Sequence, residues 1–177
     1  MKFLSREAMY GDRPDAQADS PMQRYYAEHL PNIASRLPPA FAELAHHVAA
    51  SGETLSVHDG RLHRIALDPV AARLVLELRA GDLSAGYYDL EFEYTGVDIG
   101  RLDREGLRRV AEDSTVELVY HEADVEGGQR AVHRILFWPH AELEIVFRGF
   151  TWRRTPASQR AVVDDGPRYL EITQPES

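Results

Sequence analysis

The stretch Tyr87-Tyr88-Asp89-Leu90-Glu91-Phe92-Glu93-Tyr94 decides the fold class. Tyr88, Leu90, Phe92 and Tyr94 alternate with Tyr87, Asp89, Glu91 and Glu93. A period of two sends the first set to one face of a strand and the second set to the other. One buried face and one wet face is the habit of antiparallel sheets. Upstream, Leu74, Leu76 and Leu78 alternate in the same way with Arg73, Val75, Glu77 and Arg79, and Leu55 and Val57 alternate with Ser56 and His58. Asp59-Gly60 follows as a hairpin turn signal, since both residues tolerate positive φ. Downstream, Val116, Leu118 and Tyr120 mark one more strand, Arg130 to Trp138 a second, and Leu143, Ile145 and Phe147 a third that Trp152 extends. Gly127-Gly128 and Pro139-His140 supply the turns between them.

Before Thr54 the period is helical. Ser20-Pro21-Met22-Gln23 has the form of a capping box, after which Met22, Tyr25, Tyr26, His29 and Leu30 share one face until Pro31 stops the run. A second helix is predicted over Ala40 to Ala50, with Phe41, Leu44, Ala45 and Val48 as its apolar stripe and Gly52 as its C-terminal cap. Gly11 to Asp19 reads as a loop. A short helix is predicted near Arg104 to Asp113, capped by Asp103, with Gly106 counting against it. Helices first and strands afterwards give an α+β class, with N-terminal helices packed on one face of a curved antiparallel meander of about six or seven strands. Residues 1–155 form a single domain in this reading, helical over 1–52 and sheet over 53–155. The tail 156–177 is partly ordered, with Val162, Val163, Tyr169 and Ile172 as anchors.

A chain of 177 residues with 44% hydrophobic content fits one domain with a real core. Its 29 acidic and 20 basic side chains leave a formal charge of -9, which opposes binding to nucleic acid or to anionic membranes. With no cysteine, disulfides, thiolate metal sites and a cysteine nucleophile are excluded. Met1-Lys2-Phe3-Leu4-Ser5-Arg6-Glu7 turns charged before any apolar run, so no signal peptide is visible and the cytoplasm is the expected location.

Four short stretches carry a resemblance. They are Met1-Lys2-Phe3-Leu4-Ser5-Arg6-Glu7, Leu55-Ser56-Val57-His58-Asp59, Leu118-Val119-Tyr120-His121-Glu122 and Glu142-Leu143-Glu144-Ile145, in that order. Together they resemble a bacterial domain-of-unknown-function family that opens on a similar Met-Lys-Phe stretch and carries a Leu-His-Asp-Ser motif before its sheet. The family has no assigned chemistry, so no catalytic residue is implied. A further likeness of the His-Asp strand-turn to small toxin-immunity proteins implies a protein partner.

Among the candidate sites, His58-Asp59 is the most conspicuous. A metal-dependent hydrolase would use this pair together with His63 or His121, but the position before Gly60 is also what a tight turn wants. His46 and His47 point about 100° apart on a helix and cannot share one ion. His121 and Glu122 face opposite sides of a strand, whereas Tyr120 and Glu122 share a side, with Val116 and Leu118, and are expected at the rim of the buried face. Asp89, Glu91 and Glu93 form a row of like charges that is costly unless it stays in water or meets a cation, which makes it a candidate acidic binding face. No Gly-x-Ser-x-Gly elbow and no phosphate loop is present. The expectation is a non-enzymatic, immunity-like domain that binds another protein, with no cofactor, no metal, no nucleic acid and no membrane. The alternative is the His58/Asp59 metal hydrolase, and a third reading is a purely structural or oligomer-forming domain.

Overall fold

The computed structural model describes residues 1–10, 20–52, 54–84, 86–139, 141–162 and 168–172. The loop expected over Gly11 to Asp19 lies outside them, as do His140 of the expected turn and Val163 of the expected anchors. An α+β fold is what the alternating and helical periods produce. Short helical segments α1 (Arg6–Tyr10), α2 (Pro21–Gln23), α3 (Leu30–Ile33) and α4 (Pro39–Ala45) precede a sheet that has eight strands among the described residues, and α5 (Arg104–Glu112) interrupts it. The strands are β1 (Gly60–Asp68), β2 (Arg73–Asp82), β3 (Gly86–Thr95), β4 (Glu117–Glu126), β5 (Arg130–Trp138), β6 (Ala141–Phe147), β7 (Gly149–Ala157) and β8 (Tyr169–Glu171).

The spatial order is β6-β5-β4-β1-β2-β3-β7, antiparallel throughout, with β8 added in parallel to β1. Two meanders, β1-β2-β3 and β4-β5-β6, are joined by only two residue pairs, Gly60 with Leu118 and Arg61 with Glu117. Beyond that seam β1 turns to β8 for a partner. The edge strands β6 and β7 are consecutive in the chain with only Arg148 between them, so the sheet curves until its two edges meet end to end. Trp152 therefore belongs to a separate strand on the far edge and does not extend β6, as the alternation suggested. The sheet also runs past residue 155, since β7 ends at Ala157 and β8 is drawn from the stretch read as a tail.

The helices fill the inner face. Phe41 of α4 meets Phe147 and Phe150 edge-on or tilted, and Tyr94 packs on the same two rings. Leu55, Val57, Leu74, Leu76, Leu78, Leu90, Phe92, Leu118, Leu143, Ile145 and Phe147 are all buried, as the alternation predicts. Asp103 caps α5 by accepting a hydrogen bond from the Gly106 N–H at 2.8 Å.

Several local expectations are corrected. Pro31 does not end the first helix. The chain widens into a π-helical stretch over Arg24–His29, with the Leu30 N–H reaching the Tyr25 carbonyl, and Pro31 starts the next turn, where its missing N–H costs little. Ser20 precedes a proline-started helix, but its side chain caps nothing. The second helix ends at Ala45, because His47 adopts φ 56 and takes the cap position assigned to Gly52. Val48 is consequently half-exposed and bridges to Thr54. Leu55 and Val57 are buried without being a strand. The strand starts only at Gly60, after a turn in which the Gly60 N–H donates to the Val57 carbonyl at 3.0 Å.

Candidate functional site

The seam between the meanders creates the site. Residues 54–58 approach β1 from the helices and diverge from β4, leaving a cleft of about 390 Å³. Met22 and Tyr26 border it from the helical layer, Val57 and His58 from one wall, and Val119, Tyr120 and His121 from the other. Its volume lies in the range of small-molecule sites, which are mostly apolar with a few placed polar groups.

A β-bulge governs which β4 side chains reach the cleft. Pairing with β5 shifts between Leu118 and Tyr120, so one extra residue reverses the faces. Leu118, His121 and Ala123 therefore point inward, while Tyr120 and Glu122 lie on the opposite face. The expectation that Tyr120 and Glu122 share the side of Val116 and Leu118 is overturned by this one residue. Nor is Glu122 a rim carboxylate. It is fully buried beneath the N-terminal segment and accepts hydrogen bonds from the backbone N–H groups of Lys2, Phe3 (2.9 Å) and Leu4 (3.0 Å). Arg134 stands 3.6 Å from it and bonds Asp124 and Glu144 at 3.1 and 2.8 Å. Burial raises the Asp124 carboxyl, but the Val125 N–H, Arg134 and Lys2 outweigh it and hold the group below its ordinary value. On β6, Glu142 accepts from the Arg6 N–H. Glu122 and Asp124 clamp the start of the chain to the outer face of β4.

Two polar chains meet at the cleft, one part-buried and one buried. In the first, His47 takes the Tyr26 hydroxyl at Nε2 (2.7 Å) and faces the Leu55 carbonyl at Nδ1 (3.3 Å). A carbonyl only accepts, so Nδ1 carries the proton and Tyr26 donates to Nε2. In the second, Tyr94 Oη lies 2.8 Å from His133 Nδ1, and His133 Nε2 lies 3.2 Å from His121 Nδ1. Tyr94 is fully buried, with His133 as its polar partner among the described residues. Had the phenol oxygen accepted, its proton would be stranded at a cost of about 1–3 kcal/mol. Tyr94 therefore donates to His133, His133 donates from Nε2 to His121 Nδ1, and His121 keeps its own proton on Nε2. That nitrogen is buried and has no hydrogen-bond partner among the described residues.

All three imidazoles are held neutral. Burial pushes His133 down to about 3. His121 is driven well below the usual imidazole range by burial and then by His133 and His47 beside it. His47 is lowered by burial, a shift the Leu55 carbonyl opposes and His46 reinforces. His133, Tyr94 and Tyr26 went unrecognised as site residues in the sequence. His133 sits in an apolar run between Val132 and Arg134, where nothing in the pattern marks it as part of a polar chain.

Of the residues singled out in the sequence, His47, His58, Tyr120 and His121 border the cleft, and the others lie elsewhere. His58 Nδ1 sits 2.9 Å from Asp59 Oδ1, both side chains more than half exposed, and Asp59 adopts φ 59 at the tip of the turn. His63 lies past the turn, 3.6 Å from Asp89, and His121 points into the core. The hydrolase ligands do not converge, and among the described residues no group of three or more His, Asp or Glu could hold an ion. The row Asp89, Glu91, Glu93 is matched cation by cation. Arg79 grips Asp89 through two bonds of 2.5 and 3.0 Å, Arg153 meets Glu91 at 2.9 Å, and Arg73 meets Glu93 at 2.5 Å. Beside the cleft runs an aromatic strip in which Tyr10 packs on Trp138 and Tyr120, and His58 packs edge-on to Tyr120. Tyr10 and Trp138 are about half exposed, and the Arg6 guanidinium lies over the indole. Among the described residues no helix is long and apolar enough to cross a membrane. No protein-family model, no curated protein and no solved structure matches this chain.

Proposed function

We propose that this chain is a non-enzymatic binding domain whose recognition site is the cleft at the seam between β1 and β4. The observation that carries the reading is a mostly apolar cavity of about 390 Å³ lined by the part-buried His47 and the buried His121, whose protons are assigned by their partners. Such groups orient a ligand without being poised to exchange protons with it near neutral pH. Val119 forms part of one wall and is only half-buried, so a larger side chain there fills the cavity without entering the core. Nile red, a neutral apolar fluorophore, should bind the full chain saturably, and Val119→Trp should abolish that signal with melting unchanged. Equal Nile red binding by the variant would refute the cleft as the site.

A protein partner is the second reading, favoured by the Tyr10–Trp138–Arg6 strip. Tyr, Trp and Arg are the side chains that dominate protein interfaces. The likeness to toxin-immunity proteins supports that partner class, with the strip in place of the charge-matched β3 row as its contact surface.

A further inference from the structure

We infer that the chain pairs with a second copy of itself through the outer edge of β8, strand against strand across a two-fold axis at Leu170. The direction of each backbone group in β8 follows from its bonds to β1. The Ile65 N–H donates to the Arg168 carbonyl at 2.7 Å, and the Ile172 N–H donates to the Leu67 carbonyl at 2.8 Å. Arg168, Leu170 and Ile172 therefore turn their backbone groups toward β1, while Tyr169 and Glu171 turn theirs to the opposite edge. Among the described residues no hydrogen bond meets that edge. Leu170 and Ile172, two positions apart and so on one face, are 38% and 43% exposed. Unspent backbone groups beside exposed apolar side chains are what a further strand completes.

The edge is complementary to itself. With two copies antiparallel and Leu170 on the axis, Tyr169 stands opposite Glu171 of the second copy, and Glu171 opposite its Tyr169. Those are the residues whose groups point outward, so each N–H finds a carbonyl and none is left over. A register moved by one residue would set them against Leu170, whose groups are spent on β1. Leu170 meets its own copy as a non-hydrogen-bonded pair, where side chains lie closest, with Ile172 on the diagonal. Charge agrees with this register. Arg168 comes opposite Ile172, so no like charges are opposed. Glu171 already meets Arg104 at 3.1 Å, and Arg108 lies over the Tyr169 ring, 5.1 Å from its centroid. Pairing Tyr169 with Glu171 of the second copy brings that carboxylate beside Arg108, a second cation for each Glu171. The join is small beside the roughly 800 Å² per partner of a standard interface, so the dimer belongs at concentrations on the order of 100 µM.

Sedimentation equilibrium of the full chain, from about 5 µM to about 1 mM, should show monomer passing to dimer. Leu170→Asp sets two carboxylates against each other on the axis and should keep the chain monomeric throughout. Its melting at the lowest concentration should be unchanged, because the replaced side chain is exposed. Leu170→Cys gives an independent measurement, since the chain has no cysteine of its own. Across the axis the Cα atoms of such a pair lie about 4.5 Å apart, within the span of a disulfide. Under copper–phenanthroline oxidation Leu170→Cys should cross-link about tenfold faster than Leu83→Cys, whose position is 90% exposed but lies off the axis. A monomer at every concentration, a dimer that survives Leu170→Asp, or equal cross-linking of the two cysteine variants overturns the inference.

Discussion

Glu122 offers two oxygens to three backbone N–H donors and exposes none of its surface to water. Replacing it by Gln turns one of those oxygens into an NH₂ group that faces donors, which should cost about 2–3 kcal/mol. Urea denaturation of Glu122→Gln measures the loss. Amide exchange at Lys2, Phe3 and Leu4 should accelerate before any strand opens, and an unchanged exchange rate there would show that the clamp is not held by this carboxylate. Nothing in the sequence announces this role. Reading parity from Val116 and Leu118 sends Glu122 to a wet rim, and only the bulge between Leu118 and Tyr120 reverses it. Asp59 was legible, because a turn before Gly60 wants a residue that tolerates φ 59. Gly60 is required for a different reason than the one its turn pattern gives. A Cβ there would sit 2.7 Å from the Val57 carbonyl oxygen.

At the scale of elements, α5 shows how a residue that weakens a prediction can complete a structure. By helix propensity, Gly106→Ala should stabilise an exposed helix by about 1 kcal/mol. In this helix the added Cβ would collide with the Asp103 carboxylate and approach Leu143 to 3.1 Å. Gly106→Ala should therefore destabilise by roughly the 1 kcal/mol that a cap is worth. Asp103→Ala should cost about the same, and the double variant less than the sum, since both remove one interaction. Thermal melts of the three variants decide it, and a stabilised Gly106→Ala would disprove the cap geometry. The elements most legible in the sequence, β2, β3 and β5, carry no extra residue themselves, since in the shifted pairings of β1 with β2 and of β4 with β5 the bulge lies on β1 and on β4. β1 was missed because its bulge between Leu62 and Arg64 spaces Leu62, Ile65 and Leu67 by three and then two, a pattern with neither the helical nor the strand period. The cleft was missed for a related reason. It lies between segments far apart in the chain, whose separation depends on where pairing stops.

For the whole molecule, the buried histidines make stability depend on pH. His133 is lowered to about 3, and His121 and His47 are lowered with it, so the unfolded chain binds protons that the folded chain refuses. Their contribution is complete above the unfolded imidazole value near pH 6.5 and is lost as pH falls toward the folded values, with a slope of at most about 1.4 kcal/mol per pH unit for each histidine. Asp124, Glu142 and Glu144 are also lowered by their partners, but their losses begin only below about pH 4.5, where unfolded carboxylates start to protonate. Urea midpoints should hold steady from pH 8 to 7 and then fall between pH 6.5 and 4.5. His133→Gln should flatten that decline, and a midpoint independent of pH across the window would contradict neutral burial of the histidines.

The divided pairing of β1 ties it to a segment made well after it. The first half of β1 is completed by β4, but Ile65 donates its N–H to the Arg168 carbonyl, and the Leu67 carbonyl waits for the Ile172 N–H. A nascent chain that has reached Glu126 already holds β1, β2, β3 and β4, yet lacks the segment that pairs with Ile65 to Leu67. Until residues 168–172 leave the ribosome, a short apolar stretch in the middle of the sheet displays unpaired backbone donors and acceptors, the feature that invites pairing with another chain. Three residues of β8 thus act as a built-in guard against misassociation, and a stop codon placed before Tyr169 would remove that guard while sparing most of the core.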